Sequence, residues 1–271
     1  MRESVITSRD NALAKRARAV RDRKLAPSIF IEGLRLCEEA LEASLLVEDV
    51  LCTERLAQDE RGERLLHAAA SAGARITFMS EQVFASVSDT KTPQGIALIA
   101  SRPDTGPEAL VGDAARVPLI VVMHRINNPS NAGAILRAAE AAGATGAIAT
   151  AGATDLFSPR ALRGAMGSAF RLPLWTGVEF REVTGWCAAR GMRTVCADLR
   201  AARVHTEIDW TTPRALIVGA EASGLDSDEV AEADEAVRIP MRPPVESLNV
   251  AVASAILLYE AARQRFERAV R

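Results

Sequence analysis

The stretch that decides the architecture is "VPLIVVMHRINNPSNAGAILRAAEAAGATGAIAT", residues 117–150. It opens on "VPLIVVMH" (117–124), a continuous apolar run of the kind a parallel strand needs when both its faces are covered. Pro129, Ser130 and Asn131 make a turn into a helix over 131–142, with Ser130 or Asn131 as its N-cap. At 100° per residue Ala132, Ile135, Leu136, Ala139 and Ala142 share one helical face. Gly143 sits at the C′ position, where a left-handed residue ends a helix. A second apolar run, Gly146 to Thr150, restarts the strand pattern.

Working outward, the same alternation continues to the C-terminus. A helix-like segment covers 158–168 and a helix runs from about Glu179 to Ala189. Strands recur at Arg193 to Ala197, Ala215 to Gly219 and Ala236 to Ile239, and a final helix starts near Leu248. Strands alternating with helices predict a parallel sheet with helices on its faces. Toward the N-terminus a basic helix is expected over about 9–24. It is followed by a strand at Ser28 to Ile31, a helix at Leu34 to Ala43 and a strand at Leu46 to Cys52. One long helix is expected from Arg55 to Ala72, then strands at Arg75 to Phe78 and Ile96 to Ala100. Between the halves, "SRPDTGPEALVGDAAR" (101–116) carries two prolines and two glycines without apolar periodicity. The division is therefore a smaller α/β domain over 1–104, a linker at 105–116 and a parallel-sheet domain over 117–271.

Of the 271 residues 48% are apolar and 25% charged, which is enough for a real core. Cys37, Cys52, Cys187 and Cys196 form no C-x-x-C pair, and with His67, His124 and His205 scattered no metal site is expected. The longest apolar run, Leu248 to Tyr259, is too short to span a bilayer. No signal segment opens the chain, so a soluble cytoplasmic protein without a membrane partner is expected. The net charge is −2, yet residues 1–28 hold eight basic side chains against three acidic ones. A basic N-terminal helix suits a phosphate backbone, or simply a solvated face.

In parallel sheets ligands bind beyond the carboxyl ends of the strands, so the loops after His124, Gly219 and Ile239 are the places to look. In the first, Arg137 lies opposite the apolar face of its helix, on a bed of Ala134, Ala138 and Ala141 that a phosphate could approach. In the second, "RALIVGAEASGL" (214–225), small residues Gly219, Ala220, Ala222, Ser223 and Gly224 surround one carboxylate, Glu221, and leave the backbone open to a ligand. In the third, "RIPMRPPVESLNVAVASAILLYE" (238–260), a proline loop leads to Ser247 as N-cap. The helix beyond it is apolar all round from Val250 to Leu258, so it must be buried on every side, against the sheet and against another layer or a second subunit. Asn249 in its first turn is polar in an apolar setting and needs a partner. Neither G-x-G-x-x-G nor G-x-x-x-x-G-K-[ST] occurs, and no Ser-His-acid or H-E-x-x-H pattern stands out, which argues against dinucleotide oxidoreductases, P-loop enzymes and hydrolases.

Together these segments resemble the three motifs of the SpoU (TrmH) family of RNA ribose methyltransferases, in the SPOUT superfamily. "PSNAGAILRAAEAAG" is similar to the first motif, with Asn131 and Arg137. "LIVGAEASGL" is similar to the second, with Glu221, and "IPMRPPVESLNVAVA" to the third, with Ser247 and Asn249. "SPRALRGAMGSAFRLPL" (158–174), which contains Arg163, resembles the connecting segment. "ITSRDNALAKRARAVRDRK", "FIEGLRLCEEAL" and "TPQGIALIA" resemble the substrate-binding domain of ribosomal-RNA members. The chain departs from the pattern at Ala220 and Ala222, where the family usually has Asn and Gly, at Ala165 where serine is usual, and at Pro243-Pro244 where glycine is common.

The resemblance implies an α/β fold in which the C-terminal parallel sheet carries a deep trefoil knot, with a smaller RNA-binding α/β domain before it. It implies transfer of a methyl group from S-adenosylmethionine to a ribose 2′-hydroxyl of RNA, ribosomal RNA first, by a homodimer that requires no metal. The implied catalytic set is Arg137, Asn131, Glu221, Ser247 and Asn249. A guanidinium stays protonated in proteins, so Arg137 is expected to grip a target phosphate and lower the hydroxyl's proton affinity, with Asn131 orienting Arg137 or the ribose. Gly219, Ala220, Gly224, Ile239, Met241 and Leu248 are the implied cofactor contacts, and Arg9, Lys15, Arg16 and Arg163 the implied RNA contacts. A transfer-RNA methyltransferase and a catalytically silent RNA-binding relative are the alternatives, and a nucleotide-binding oxidoreductase stands third for want of its glycine fingerprint.

Overall fold

The computed structural model describes residues 5–111, 116–220 and 224–269. By its internal contacts the chain divides into two units, Met1–Pro103 with Phe157–Arg171, and Asp104–Leu156 with Leu172–Arg271. The first begins α1 (Ala12–Arg21), β1 (Ser28–Glu32), α2 (Leu34–Glu42), β2 (Val47–Cys52), α3 (Glu54–Ala57), α4 (Glu60–Ser71), β3 (Arg75–Phe78), α5 (Glu81–Val87) and β4 (Ile96–Ser101). Its sheet has the order β1-β4-β2-β3, with β4 antiparallel to both neighbours. The apolar stripe of α1, Ala14, Ala17 and Val20, packs with Phe30, Leu51, Phe84 and Ile99. The long helix expected from Arg55 to Ala72 is instead α3 and α4. The Asp59 side chain accepts from the N–H groups of Arg61 and Gly62 at 3.0 and 3.1 Å, which caps α4 and interrupts the run.

The rest of the chain supplies β5 (Leu119–Met123), α6 (Pro129–Ala141), β6 (Gly146–Thr150), α7 (Pro159–Ala165), α8 (Ser168–Arg171), β7 (Leu174–Val178), α9 (Phe180–Ala188), β8 (Arg193–Ala197), β9 (Arg203–Val204), β10 (Arg214–Val218), α10 (Ser227–Glu232), β11 (Glu235–Arg238) and α11 (Val250–Ala269). α7 and α8 group with the first unit, which differs from a division that gives all of 117–271 to one domain. Arg163 of α7 donates to Asp89 at 2.6 Å, Arg171 of α8 pairs with Glu39, and the Arg102 guanidinium lies 4.6 Å over the Phe157 ring.

The second unit is built on a seven-stranded sheet of order β7-β6-β5-β10-β8-β11-β9, every pair parallel. β5, β6 and β10, at its centre and beside it, are near-continuous apolar runs buried on both faces, as the sequence predicts. β7 goes unpredicted because Leu174-Trp175-Thr176-Gly177-Val178 is mixed in character and lies at the sheet edge. Leu110, inside the predicted linker, is buried in this unit's core with Ile120, Ile148 and Trp175.

Two helix starts are corrected. Pro129 takes the first position of α6, so the cap is Asn128, whose side chain accepts from Ser130 N at 2.9 Å. α11 begins at Val250, and Asn249 rather than Ser247 caps it, accepting from Ala251 N at 2.9 Å. Ser247 is exposed, outside the helix. α11 packs on α6 and buries Ser254, Leu257, Leu258, Ala261 and Ala262. It is not covered on every side: Val252, Tyr259 and Phe266 are 50%, 54% and 67% exposed, and their spacing of seven puts them on one stripe.

Candidate functional site

Seven parallel strands present all their carboxyl ends along one edge of the second unit. β6 and β7 lie to one side of β5, while β10, β8 and β11 lie to the other, and clefts form at such reversals of strand order. A cleft of about 980 Å³ opens there.

Nine predicted site residues line this cleft: Asn131, Gly219, Ala220, Gly224, Ile239, Met241, Ser247, Leu248 and Asn249. Chain segments far apart in sequence meet here, and Asn249 Nδ2 donates to Asn131 Oδ1 at 3.2 Å. That contact is the partner Asn249 was expected to need, and it ties the start of α11 to the start of α6. Arg137 is exposed on α6 and is absent from the cleft lining. Glu221 lies outside the described residues.

The loop after β10 is shaped by glycine. A Cβ on Gly219 would stand 2.5 Å from the Gly224 carbonyl carbon and 2.7 Å from Leu225 N. Gly224 N donates to Ala220 O at 2.8 Å, which brings the two ends of the loop together. Gly224 itself has φ +65° and open space where a Cβ would go, so the main chain is accessible there. Half-buried Ile239, Met241 and Leu248 add apolar surface.

A polar network beside the cleft escaped the sequence reading. The buried His124 ring places Nδ1 3.0 Å from Thr150 Oγ1 and Nε2 2.9 Å from Glu229 Oε1. Arg125 donates to Glu229 Oε2 at 2.7 Å, and Glu229 and Asp226 form a capping box at the start of α10. One carboxylate thus fastens α10, at the cleft rim, to the end of β5. The D-x-x-E spacing of that box is readable in sequence, but its pairing with His124, 105 residues away, is not. Behind the cleft, burial pushes the Cys196 thiol up to about 11, with the charge of Asp198 adding to it.

The expected RNA contacts lie in the first unit. Arg16 pairs with Asp49, which is fully buried, and with Glu48. Lys15 pairs with Asp10 at 3.1 Å across exposed side chains, and Arg9 is exposed. Arg163 is half-buried against Asp89. Among the described residues no three His, Cys, Asp or Glu side chains gather to hold a metal ion, and no helix is long and apolar enough to cross a membrane.

An all-parallel α/β unit with a glycine-shaped loop and a mixed polar and apolar cleft at its strand ends defines a protein that binds a nucleotide-sized ligand. Comparison with known proteins gives the family. Residues 118–259 match the SpoU rRNA Methylase family and residues 12–98 the MRM3-like substrate binding domain. The chain belongs to the SpoU rRNA methylase family. It is 31% identical over 248 residues to the 23S rRNA (guanosine(2553)-2'-O)-methyltransferase RlmP of Bacillus subtilis (strain 168), covering 90% of this chain and 92% of that one. Among solved structures, the AdoMet-bound rRNA methyltransferase from Sinorhizobium meliloti matches with TM-score 0.84 at 28% identity, over 96% of this chain and 97% of that one. The SpoU methyltransferase AviRb from Streptomyces viridochromogenes, in complex with AdoMet, matches with TM-score 0.84 at 27% identity, over 94% and 98%.

Proposed function

We propose that the chain is an S-adenosylmethionine-dependent methyltransferase acting on a ribose 2′-hydroxyl of ribosomal RNA. What carries the reading is the cleft at the carboxyl ends of β10, β8 and β11, where the first and third motifs are joined by the Asn249–Asn131 bond. The residues present fit the cofactor. The main chain of Gly219, Ala220 and Gly224 lines the cleft where an adenosyl group would lie, and Ile239, Met241 and Leu248 cover its apolar parts. When bound, S-adenosylmethionine supplies an electrophilic methyl group. The exposed guanidinium of Arg137 holds an RNA phosphate and stabilises the negative charge that grows on the attacking hydroxyl. Asn131 and Asn249 hold the cleft wall, and Ser247, left uncapping and exposed, is available to the ribose. Arg9, Lys15 and Arg163 add charge toward the RNA in the N-terminal unit, which takes the substrate-binding role over 1–104.

The same reading includes a homodimer. The uncovered stripe Val252, Tyr259 and Phe266 is the surface a second copy would bury. Because Arg137 lies outside its own chain's cleft, pairing supplies the cleft of one copy with the Arg137 of the other. The reading places the protein in the cytoplasm, whose reducing conditions suit four buried cysteines that form no disulfide. Calorimetric titration with S-adenosylmethionine tests the reading: saturable one-to-one binding per chain is expected, and absence of heat at any concentration overturns it.

A further inference from the structure

β8 lies between β10 and β11 in the sheet, so the residues just beyond it form the middle of the cleft wall. The first is Asp198, whose N–H donates to Val237 O at 3.0 Å. Its side chain is only 14% exposed and lines the cleft. Oδ1 accepts from Arg200 N at 3.0 Å and Arg200 Nε at 3.3 Å. Among the described residues no donor reaches Oδ2. The turn is fixed from the far side, where Arg238 Nη1 donates to Ala201 O and Ala202 O at 2.7 and 2.6 Å. A half-saturated carboxylate is thus held in place on a ligand wall, and such an oxygen calls for a donor.

We propose that Asp198 is a cofactor-specificity residue whose open carboxylate oxygen accepts the ribose hydroxyls of S-adenosylmethionine. The inference rests on the methyltransferase reading above. Three parts of that cofactor could donate to or attract a carboxylate: the α-ammonium with its neighbouring sulfonium, the adenine amino group and the vicinal diol. Arg200 already sets a cation against Asp198, so a second cation at the same carboxylate would be repelled, whereas neutral hydroxyls would not. The diol presents two O–H donors side by side at the centre of the cofactor, and β8 is the central strand of the three that bear the wall. A single amino group at the end of the base matches that position less well.

The test is calorimetric binding of S-adenosylhomocysteine and of its 2′-deoxy and 3′-deoxy counterparts to the wild-type chain, Asp198→Ala and Asp198→Asn. In wild type, loss of the recognised hydroxyl is expected to weaken binding by about tenfold to a hundredfold, the range for a hydrogen bond to a charged group. Asp198→Ala should bind the parent compound weaker by a similar factor and no longer distinguish the deoxy compound. Asp198→Asn, which keeps the side-chain shape and an acceptor for Arg200 N–H, should fall between and carries the test if the alanine variant does not fold. A deoxy penalty of equal size in wild type and variants overturns the assignment of Asp198 alone. Absence of all binding in wild type overturns the methyltransferase reading with it.

Discussion

Gly219 has no room for a side chain. A methyl group there would meet backbone atoms of Gly224 and Leu225 at 2.5–2.8 Å, and backbone cannot swing aside as a side chain does. Gly219→Ala is therefore expected to reopen the loop and weaken S-adenosylmethionine binding by about tenfold or more, with the far-ultraviolet spectrum unchanged. Calorimetry beside circular dichroism checks both halves; tight binding in the variant removes this loop from the cofactor's contacts. At this scale the sequence displayed the polar residues that line the cleft, since Asn131, Ser247 and Asn249 stand in recognisable runs. It could not display their partners. Which side chain caps α11, Ser247 or Asn249, depends on where the chain leaves its proline loop. The Asn131–Asn249 and His124–Glu229 contacts span 118 and 105 residues, and no local pattern encodes such pairs.

Among the elements, α11 is tied down by one cation. Arg265 donates to the carbonyls of Trp210, Val117, Pro118 and Thr212 at 2.7–3.0 Å, stitching the helix to the residues before β5 and β10. Arg265→Ala is expected to destabilise the chain by roughly 2–3 kcal/mol, a fall of about 4–12 °C in Tm, because it removes these bonds and its packing stem; an unchanged melting curve would contradict this. α9 and β8 each bear a thiol raised by burial. Burial first, then the charge of Asp234, pushes Cys187 up to about 12, and Cys196 reaches about 11. A thiol raised in the folded state contributes stability that is present below its unfolded value of 9.0 and lost as pH rises toward 11–12. Stability to urea should thus fall between pH 9 and 11 more steeply in wild type than in Cys187→Ala; equal slopes would show that the thiol does not sense folding. Element types were legible where apolar runs were long, as in β5 and β10. They were not where a capping Asp59 broke a helical run or where β7 lay at a mixed edge.

At the scale of the whole molecule, the stripe on α11 and the absence of Arg137 from its own cleft's lining make a joint prediction. The wild-type chain should sediment as a dimer, and Phe266→Glu, placing a charge on the stripe, should shift it toward monomer. At a cofactor concentration that leaves Gly219→Ala largely unloaded, mixed dimers of Arg137→Ala and Gly219→Ala copies should be more active than either variant alone. A wild-type monomer in solution, or no recovery on mixing, would contradict the shared site. The sequence suggested two parts from the proline- and glycine-bearing stretch 101–116, and the chain's internal contacts divide it at Pro103/Asp104. The attachment of Phe157–Arg171 to the N-terminal unit was not visible in the sequence, because it depends on ion pairs such as Arg163–Asp89 and Arg171–Glu39. The central claim concerns where the methyl group goes. Ribosomal RNA incubated with the protein and methyl-labelled S-adenosylmethionine, then digested to nucleosides, should carry the label in a 2′-O-methylated nucleoside, and Arg137→Ala should abolish it while binding the cofactor within about twofold of wild type. Label found on a base, or no transfer to any ribosomal RNA by the wild-type chain, would contradict the account.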